Sequence, residues 1–452
     1  MSRVVVVGAG VGGLACAVRL AHAGHRVTVL EQAAGPGGKC SRVERGGFAW
    51  DAGPSLLTMP WVFEALFAET GAPLSDELEL LRVEPVTRYG FADGSTVDIS
   101  ADLPQAMEAL EAWSPGAGAD WTRFLGVCAT MWRASVPFLT GPPPWPPRLD
   151  ARGDPRDLLR VKPWHTLRSL ASTTVRDARL RLVVERFATY AGADPRRAPA
   201  ALAVAGYVEH AFGAWHPRGG LYEVVHALAR RLESLGGELR CGVHVSSISA
   251  RGVETGAGFV AADTVVANLD TRGRGERSVS GYALMLGLRG RTPGLVHHTI
   301  EFPADYDAEF DDVFTHRRPV RDPTLYLSCP EATEGGDDES WFVLVNAPAS
   351  PGLDWDAYEA VVLERLAARG HDPGTRLVAS AHRSPADLQR ETGAVDGAIY
   401  GVAPHGRLGT MRKPGNRRRD GVWRVGGTVH PGGGLPLVAL GAATVARAIG
   451  PA

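Results

Sequence analysis

Gly8, Gly10, Gly12 and Gly13 sit directly behind the apolar run Val4-Val5-Val6-Val7, and Glu31 closes a second run, Val27-Thr28-Val29-Leu30. Residues of these types at this spacing can hold a dinucleotide. Gly8 permits a tight turn, Gly10 lets the backbone approach a pyrophosphate, and Gly13 lets a helix pack closely on a strand. The unpaired N–H groups and positive dipole end of the following helix would face the phosphates. Glu31 follows the first glycine by roughly twenty residues, where a carboxylate accepts hydrogen bonds from a ribose 2′-OH. A second glycine turn with a cation, Gly37-Gly38-Lys39, comes a few residues later. It could set backbone amides and one positive charge against the same pyrophosphate. On these residues alone, nicotinamide and flavin dinucleotides both remain open.

The elements needed to position such a site are legible along the chain. An amphipathic stretch to about residue 23 separates the two apolar runs, giving the strand–helix–strand order of a βαβ unit. Residues 100–210 read as mostly helical, interrupted by prolines at 142, 143, 144, 146 and 147 that cannot continue a helix. Residues 221–235 have helical periodicity, and residues 264–267 read as a buried strand. Residues 280–395 read as strands with intervening helices. A last strand, residues 422–425, meets a glycine turn before a helix expected at residues 437–449. The expected architecture is α/β, with a discontinuous Rossmann-type nucleotide domain built from residues 1–100, 212–275 and 395–452. A mixed α+β substrate domain is then expected from residues 101–211 and 276–394.

Composition narrows the class. The chain has 452 residues, with 48 basic against 50 acidic side chains, and its lysines are at 39, 162 and 413 only. Near-zero net charge argues against a nucleic-acid partner recruited by phosphate neutralisation. Cys16, Cys40, Cys128, Cys241 and Cys329 are scattered, with no C-x-x-C pair and no metal-site spacing. No metal is therefore expected, and the thiols read as those of a reduced, cytoplasmic protein. No apolar run reaches the roughly 18–20 residues that span a bilayer. The chain opens almost directly on a strand, and is read as carrying no cleavable signal.

The segments flanking the βαβ unit carry a resemblance. The Gly37-Gly38-Lys39 extension resembles the flavoproteins of the amine oxidase and phytoene desaturase superfamily, where this loop usually carries arginine. Lysine keeps the charge but loses the bidentate fork. Val425-Gly426-Gly427-Thr428-Val429-His430-Pro431-Gly432-Gly433-Gly434-Leu435-Pro436 resembles the carboxy-terminal signature of bacterial carotenoid desaturases. Gly427-Thr428 replaces the Gly-Asp pair of the wider superfamily, as the carotenoid branch tends to do. Residues 48–59, with Asp51-Ala52-Gly53-Pro54-Ser55, resemble the segment beneath the flavin. Trp215-His216-Pro217-Arg218-Gly219-Gly220 resembles the family's approach to its next helix, and Val245 falls where an adenine-contacting valine lies. Ser280-Gly281-Tyr282, His297-His298, Asn346-Ala347-Pro348 and Tyr400-Gly401 are most similar to the hydroxyneurosporene branch, the carotenoid 3,4-desaturases. The resemblance covers nearly the whole chain.

This resemblance implies FAD as cofactor. It would be held by Gly8, Gly10, Gly12, Gly13, Glu31, Gly38, Lys39, Gly53, Pro54, Ser55, Val245, Gly427, Pro431, Leu435 and Pro436. The helix starting near Leu435 would point its amino terminus at the flavin ring. The implied reaction removes two hydrogens from an acyclic carotenoid, at C-3,4 of a 1-hydroxy or 1-methoxy substrate. A phytoene-type desaturase, another polyene saturase or isomerase, and a non-catalytic prenyl-lipid carrier of the same fold are the alternatives. His430, the one titratable residue inside the carboxy-terminal signature, is the candidate proton acceptor or ring contact; the competing role is a hydrogen bond to loop backbone. A polyene substrate implies peripheral contact with a membrane surface. Residues 131–164, with Trp132, Phe138, Leu139, Trp145 and Trp164 among Arg148, Arg152, Arg156 and Arg160, suit either such a patch or a packed lid. Oligomeric state is left open.

Overall fold

Val4 and Val6 face a core of helices, whereas Val5 and Val7 face a small antiparallel sheet. Burial on both faces is why the strand Arg3–Val7 is an unbroken valine run rather than an alternating one. In the computed structural model, which describes residues 1–143, 156–407 and 409–452, this strand is central in a five-stranded parallel sheet. The order is Trp423–Arg424, Thr264–Ala267, Arg3–Val7, Arg26–Leu30, Glu238–Arg240. The strands come from three distant parts of the chain. Register sets Val7 beside both Ala267 and Leu30, so the glycine turn, Asn268 and Glu31 meet at the carboxyl ends of neighbouring strands.

Helices Val11–His22, Tyr222–Ser234 and Leu435–Ile449 pack together on one face of this sheet. The antiparallel strands Val245–Ser249, Gly252–Thr255 and Gly258–Ala261 cover the other. The last helix starts two residues before the position expected from periodicity. Pro436 lies in its first turn, where its missing N–H costs no helical hydrogen bond.

A second, seven-stranded sheet has the order Leu377–Arg383, Ser280–Leu288, Glu339–Ala347, Leu325–Ser328, His298–Glu301, Thr87–Gly90, Thr96–Ile99. Its side chains divide by strand period. Tyr282, Leu284, Leu286, Val343 and Val345 pack with helix Tyr358–Ala368, while Gly281, Ala283, Phe342 and Leu344 line a cavity on the opposite face. Thr87–Gly90 and Thr96–Ile99 fall before the boundary expected at residue 100, yet they belong to this sheet. Thr87–Gly90 pairs in parallel with His298–Glu301, more than two hundred residues away, a partner that local alternation could not reveal.

Helices Ala117–Thr140, Leu167–Thr174, Ala178–Arg186 and Val204–Phe212 share a core around Phe124, Leu170, Val183 and Phe187, and all but Leu167–Thr174 contribute residues to the other side of the cavity. The hairpin Arg42–Arg45/Phe48–Asp51 joins the two halves. Trp50 Nε1 donates to Leu286 O at 3.3 Å, and the Phe48 ring lies where a Cβ on Gly287 would stand 2.5 Å away. Among the described residues, no helix is long and apolar enough to cross a membrane.

Candidate functional site

One cavity of about 1820 Å³ runs from the glycine turn after Val7 to the inner face of the seven-stranded sheet. Every residue expected to hold the cofactor lines it except Gly13. Gly13 has a packing role instead: a Cβ there would stand 2.2 Å from Gly8 O. Gly8 has φ +94°, a conformation that favours glycine.

Asn268 was not singled out by sequence, yet it closes the turn. Its Nδ2 donates to Gly8 O at 3.3 Å, and it lies 2.7 Å from where a Cβ on Gly10 would sit. Gly10 therefore makes room for protein as well as for a ligand. Glu31 is buried, with Oε2 accepting from Ala9 N at 2.7 Å and Oε1 from Ala33 N at 2.9 Å. Each oxygen keeps a lone pair, so the carboxylate can orient the turn and still receive a ribose hydroxyl.

Asp51 fixes the segment beneath the expected ring position. Its carboxylate accepts from Leu221 N at 2.6 Å and Tyr222 N at 3.0 Å, supplying partners to N–H groups at the start of helix Tyr222–Ser234. Burial pushes its pKa up, against those two backbone hydrogen bonds. Gly53 follows in a crowded turn, where a Cβ would stand 1.9 Å from Lys39 O. Ser55 Oγ lies 2.6 Å from Tyr326 Oη, joining this loop to the sheet.

Two cations flank the carboxy-terminal loop. Lys39 Nζ lies 2.6 Å from Asp270 Oδ2 and 2.9 Å from Ile399 O. Its charge is matched by Asp270, which follows Asn268 past the strand end, and both residues line the cavity. Lys413 donates to Tyr400 O at 3.1 Å and Gly427 O at 3.2 Å. Burial, with the Lys39 charge adding to it, brings the Lys413 ammonium down to about 8. Sequence reasoning missed Lys413; the one available signal was that an arginine-rich chain keeps a lysine here.

His430 does not line the cavity. Its Nε2 lies 3.1 Å from Gly141 O, and its ring meets Phe138 edge-on at 4.7 Å between centroids. Burial lowers its pKa. Loop backbone takes the ring nitrogen, because the chain turns the imidazole toward the end of helix Ala117–Thr140. From the 131–164 segment, Phe138 and Leu139 line the cavity and Trp132 packs on Phe212. Leu159 and Trp164 are exposed. Trp145, Arg148 and Arg152 lie outside the described residues.

The residues present fit a flavin dinucleotide. The amino termini of helices Val11–His22 and Leu435–Ile449 begin at Gly10 and Gly434, both on the cavity wall and neither carrying a side-chain cap. Their first-turn N–H groups are available to an anionic ligand. The walls between are glycine at 37, 38, 426, 427, 432 and 433, leaving space that side chains would fill.

Comparison with known proteins agrees with this geometry. The chain belongs to the flavin-containing amine oxidoreductase family, whose model matches residues 11–272. It is an FAD-dependent oxidoreductase. It is 33% identical to the zeta-carotene-forming phytoene desaturase of Myxococcus xanthus, over 98% of this chain and 93% of that protein. It is 34% identical to the hydroxyneurosporene desaturase of Cereibacter sphaeroides, over 99% of this chain and 97% of that one. A solved oxidoreductase from Methanosarcina mazei shares the fold with a TM-score of 0.65 at 19% identity, covering 98% of this chain and all of the other.

Proposed function

We propose that this enzyme desaturates an acyclic carotenoid, taking the two hydrogens from C-3 and C-4 of a 1-hydroxy or 1-methoxy substrate. The observation that carries the reading is one cavity that joins a dinucleotide groove to a long apolar chamber. Similarity to carotenoid desaturases over almost the entire chain supports it.

FAD, when bound, supplies the acceptor for a hydride leaving the substrate. Gly8, Gly10 and Gly12 would hold its pyrophosphate against helix Val11–His22. Glu31 and Val245 would hold the adenosine end, and Gly53, Pro54, Ser55, Gly427, Pro431, Leu435 and Pro436 would enclose the ring. Phe342, Leu344, Val208 and Leu202 present apolar wall to the substrate. At roughly 25 cal/mol per Å² such walls hold a polyene without many polar contacts, and they keep water from the reacting carbons. Since such a substrate resides in lipid, residues 131–164 would dock the cavity on a membrane surface.

An anaerobic single turnover tests the reading without needing the natural electron acceptor. The FAD-loaded enzyme is mixed with a 1-hydroxylated acyclic carotenoid in liposomes. The flavin band should bleach while the polyene band moves to longer wavelength by one added conjugated bond. Flavin that stays oxidised beside an unchanged polyene, with every acyclic carotenoid tried, would overturn it.

A further inference from the structure

The apolar chamber contains a polar cluster that no step above uses. Arg186 ends helix Ala178–Arg186, Tyr190 lies on the following turn, and Glu209 lies on helix Val204–Phe212. All three line the cavity, and Arg186 and Glu209 are only 7% and 6% exposed. Arg186 Nη1 donates to Tyr190 Oη at 2.9 Å, and the Tyr190 hydroxyl donates to Glu209 Oε1. The guanidinium also lies 4.9 Å from the Tyr190 ring centroid and 5.7 Å from that of Tyr326. Glu209 Oε2 accepts no hydrogen bond from the described residues.

Charged groups this deeply buried are costly unless they are paired or meet a ligand. Tyr190 relays between the cation and the acid, but that leaves a carboxylate oxygen without a donor. Around them the wall is apolar, with Ala205, Val208, Phe187 and Leu344. A hydrocarbon gains nothing from such a cluster and would leave it desolvated. A hydroxyl satisfies it in both directions, donating to Glu209 Oε2 and accepting from the Arg186 guanidinium.

The cluster is also tied to the carboxy-terminal loop. The Tyr400 ring lies between Gly192 and Gly433: added Cβ atoms there would stand 2.8 Å and 2.7 Å from it. Tyr400 thus bridges the turn carrying Tyr190 and the loop expected to face the flavin. An oxygen held at the cluster would keep one end of a long chain near that loop, rather than its middle.

We infer that Arg186, Tyr190 and Glu209 form a hydroxyl-recognition site that selects a carotenoid bearing a free alcohol near its reacting end. The assignment rests on the carotenoid reading above and sharpens it. An ether oxygen accepts but cannot donate, so the site separates a hydroxylated end from a methoxylated one.

The test uses the FAD-loaded enzyme and three acyclic carotenoids of one carbon skeleton: the 1-hydroxy compound, its methyl ether and the hydrocarbon. Dissociation constants come from quenching of tryptophan fluorescence, and turnover comes from anaerobic flavin bleaching. The wild type should bind the alcohol more tightly than the ether, and the hydrocarbon more weakly again by about tenfold or more. Glu209→Gln and Tyr190→Phe should compress the alcohol-to-hydrocarbon ratio toward one. Because the ratio is measured within each variant, a loss of folded protein does not move it. Equal binding of the three by wild type, or ratios unchanged in both variants, would overturn the site. Selective binding of the alcohol without any flavin bleaching would uphold the site and overturn the desaturase reading instead.

Discussion

His430 shows how a titratable residue in a functional signature can serve structure. Its imidazole reaches Gly141 O at 3.1 Å and sits edge-on to Phe138, tying the carboxy-terminal loop to the end of helix Ala117–Thr140. Those contacts stabilise the loop that begins helix Leu435–Ile449, yet none places a ring nitrogen at the cavity. His430→Ala is therefore expected to lower thermal stability by about 1–2 kcal/mol, the scale of one buried hydrogen bond with some lost packing. Turnover per bound flavin should stay within a few-fold of wild type. A loss of bleaching rate by orders of magnitude at full flavin content would return the residue to the chemistry.

Among the elements, the strand–turn–helix from Arg3 to His22 was readable because its determinants are local. Valine burial on both faces, φ +94° at Gly8 and the Gly13 approach all lie within a few residues of one another. The elements that complete the site were not readable in that way. Asn268 takes its role from Gly8, 260 residues away. Lys413 and the Arg186–Tyr190–Glu209 cluster take theirs from neighbouring elements that no sequence periodicity relates, and the Thr87–Gly90 strand needs His298–Glu301 to show which sheet it joins. The segment leaving helix Ala117–Thr140 is intermediate. Phe138 and Leu139 line the cavity, while Leu159 and Trp164 are about three-fifths exposed (58% and 60%). Val161, between those two, lines the cavity as well, so the same stretch of chain touches both substrate space and solvent. Exposed apolar side chains in that position suit insertion into the lipid headgroup region. Trp164→Glu should reduce co-flotation of the FAD-loaded protein with anionic liposomes and leave flavin content unchanged. Flotation equal to wild type would remove the docking role from this segment.

Across the whole molecule, the two halves meet at a row of histidines. His216 comes from the strand Trp215–Pro217 beside the nucleotide half, His298 opens a strand of the seven-stranded sheet, and His297 immediately precedes it. Ring centroids are 4.8 Å apart for His216 and His297, and 4.4 Å for His297 and His298. Glu334 faces His216 at 2.6 Å, Thr333 Oγ1 lies 2.8 Å from His297 Nδ1, and the Val86 and Ser55 carbonyls face His298 at 3.0 and 3.3 Å. Burial holds His297 well below its ordinary range, helped by its two histidine neighbours, and takes His298 down to about 4; the Arg186 charge adds to the latter. Both are neutral in the folded protein at pH 7. As pH falls below 6.5, the ordinary value, the unfolded chain takes up protons at these positions while the native junction does not. Stability is then lost progressively down to about pH 4, since it falls wherever the unfolded state binds more protons. Thermal unfolding of the FAD-loaded enzyme between pH 7.5 and 5 should show this acid slope, and His297→Gln should flatten it. An identical slope in the variant would mean that acid sensitivity arises elsewhere. A flatter slope would assign that share of the acid sensitivity to the histidine seam between the cofactor and substrate halves.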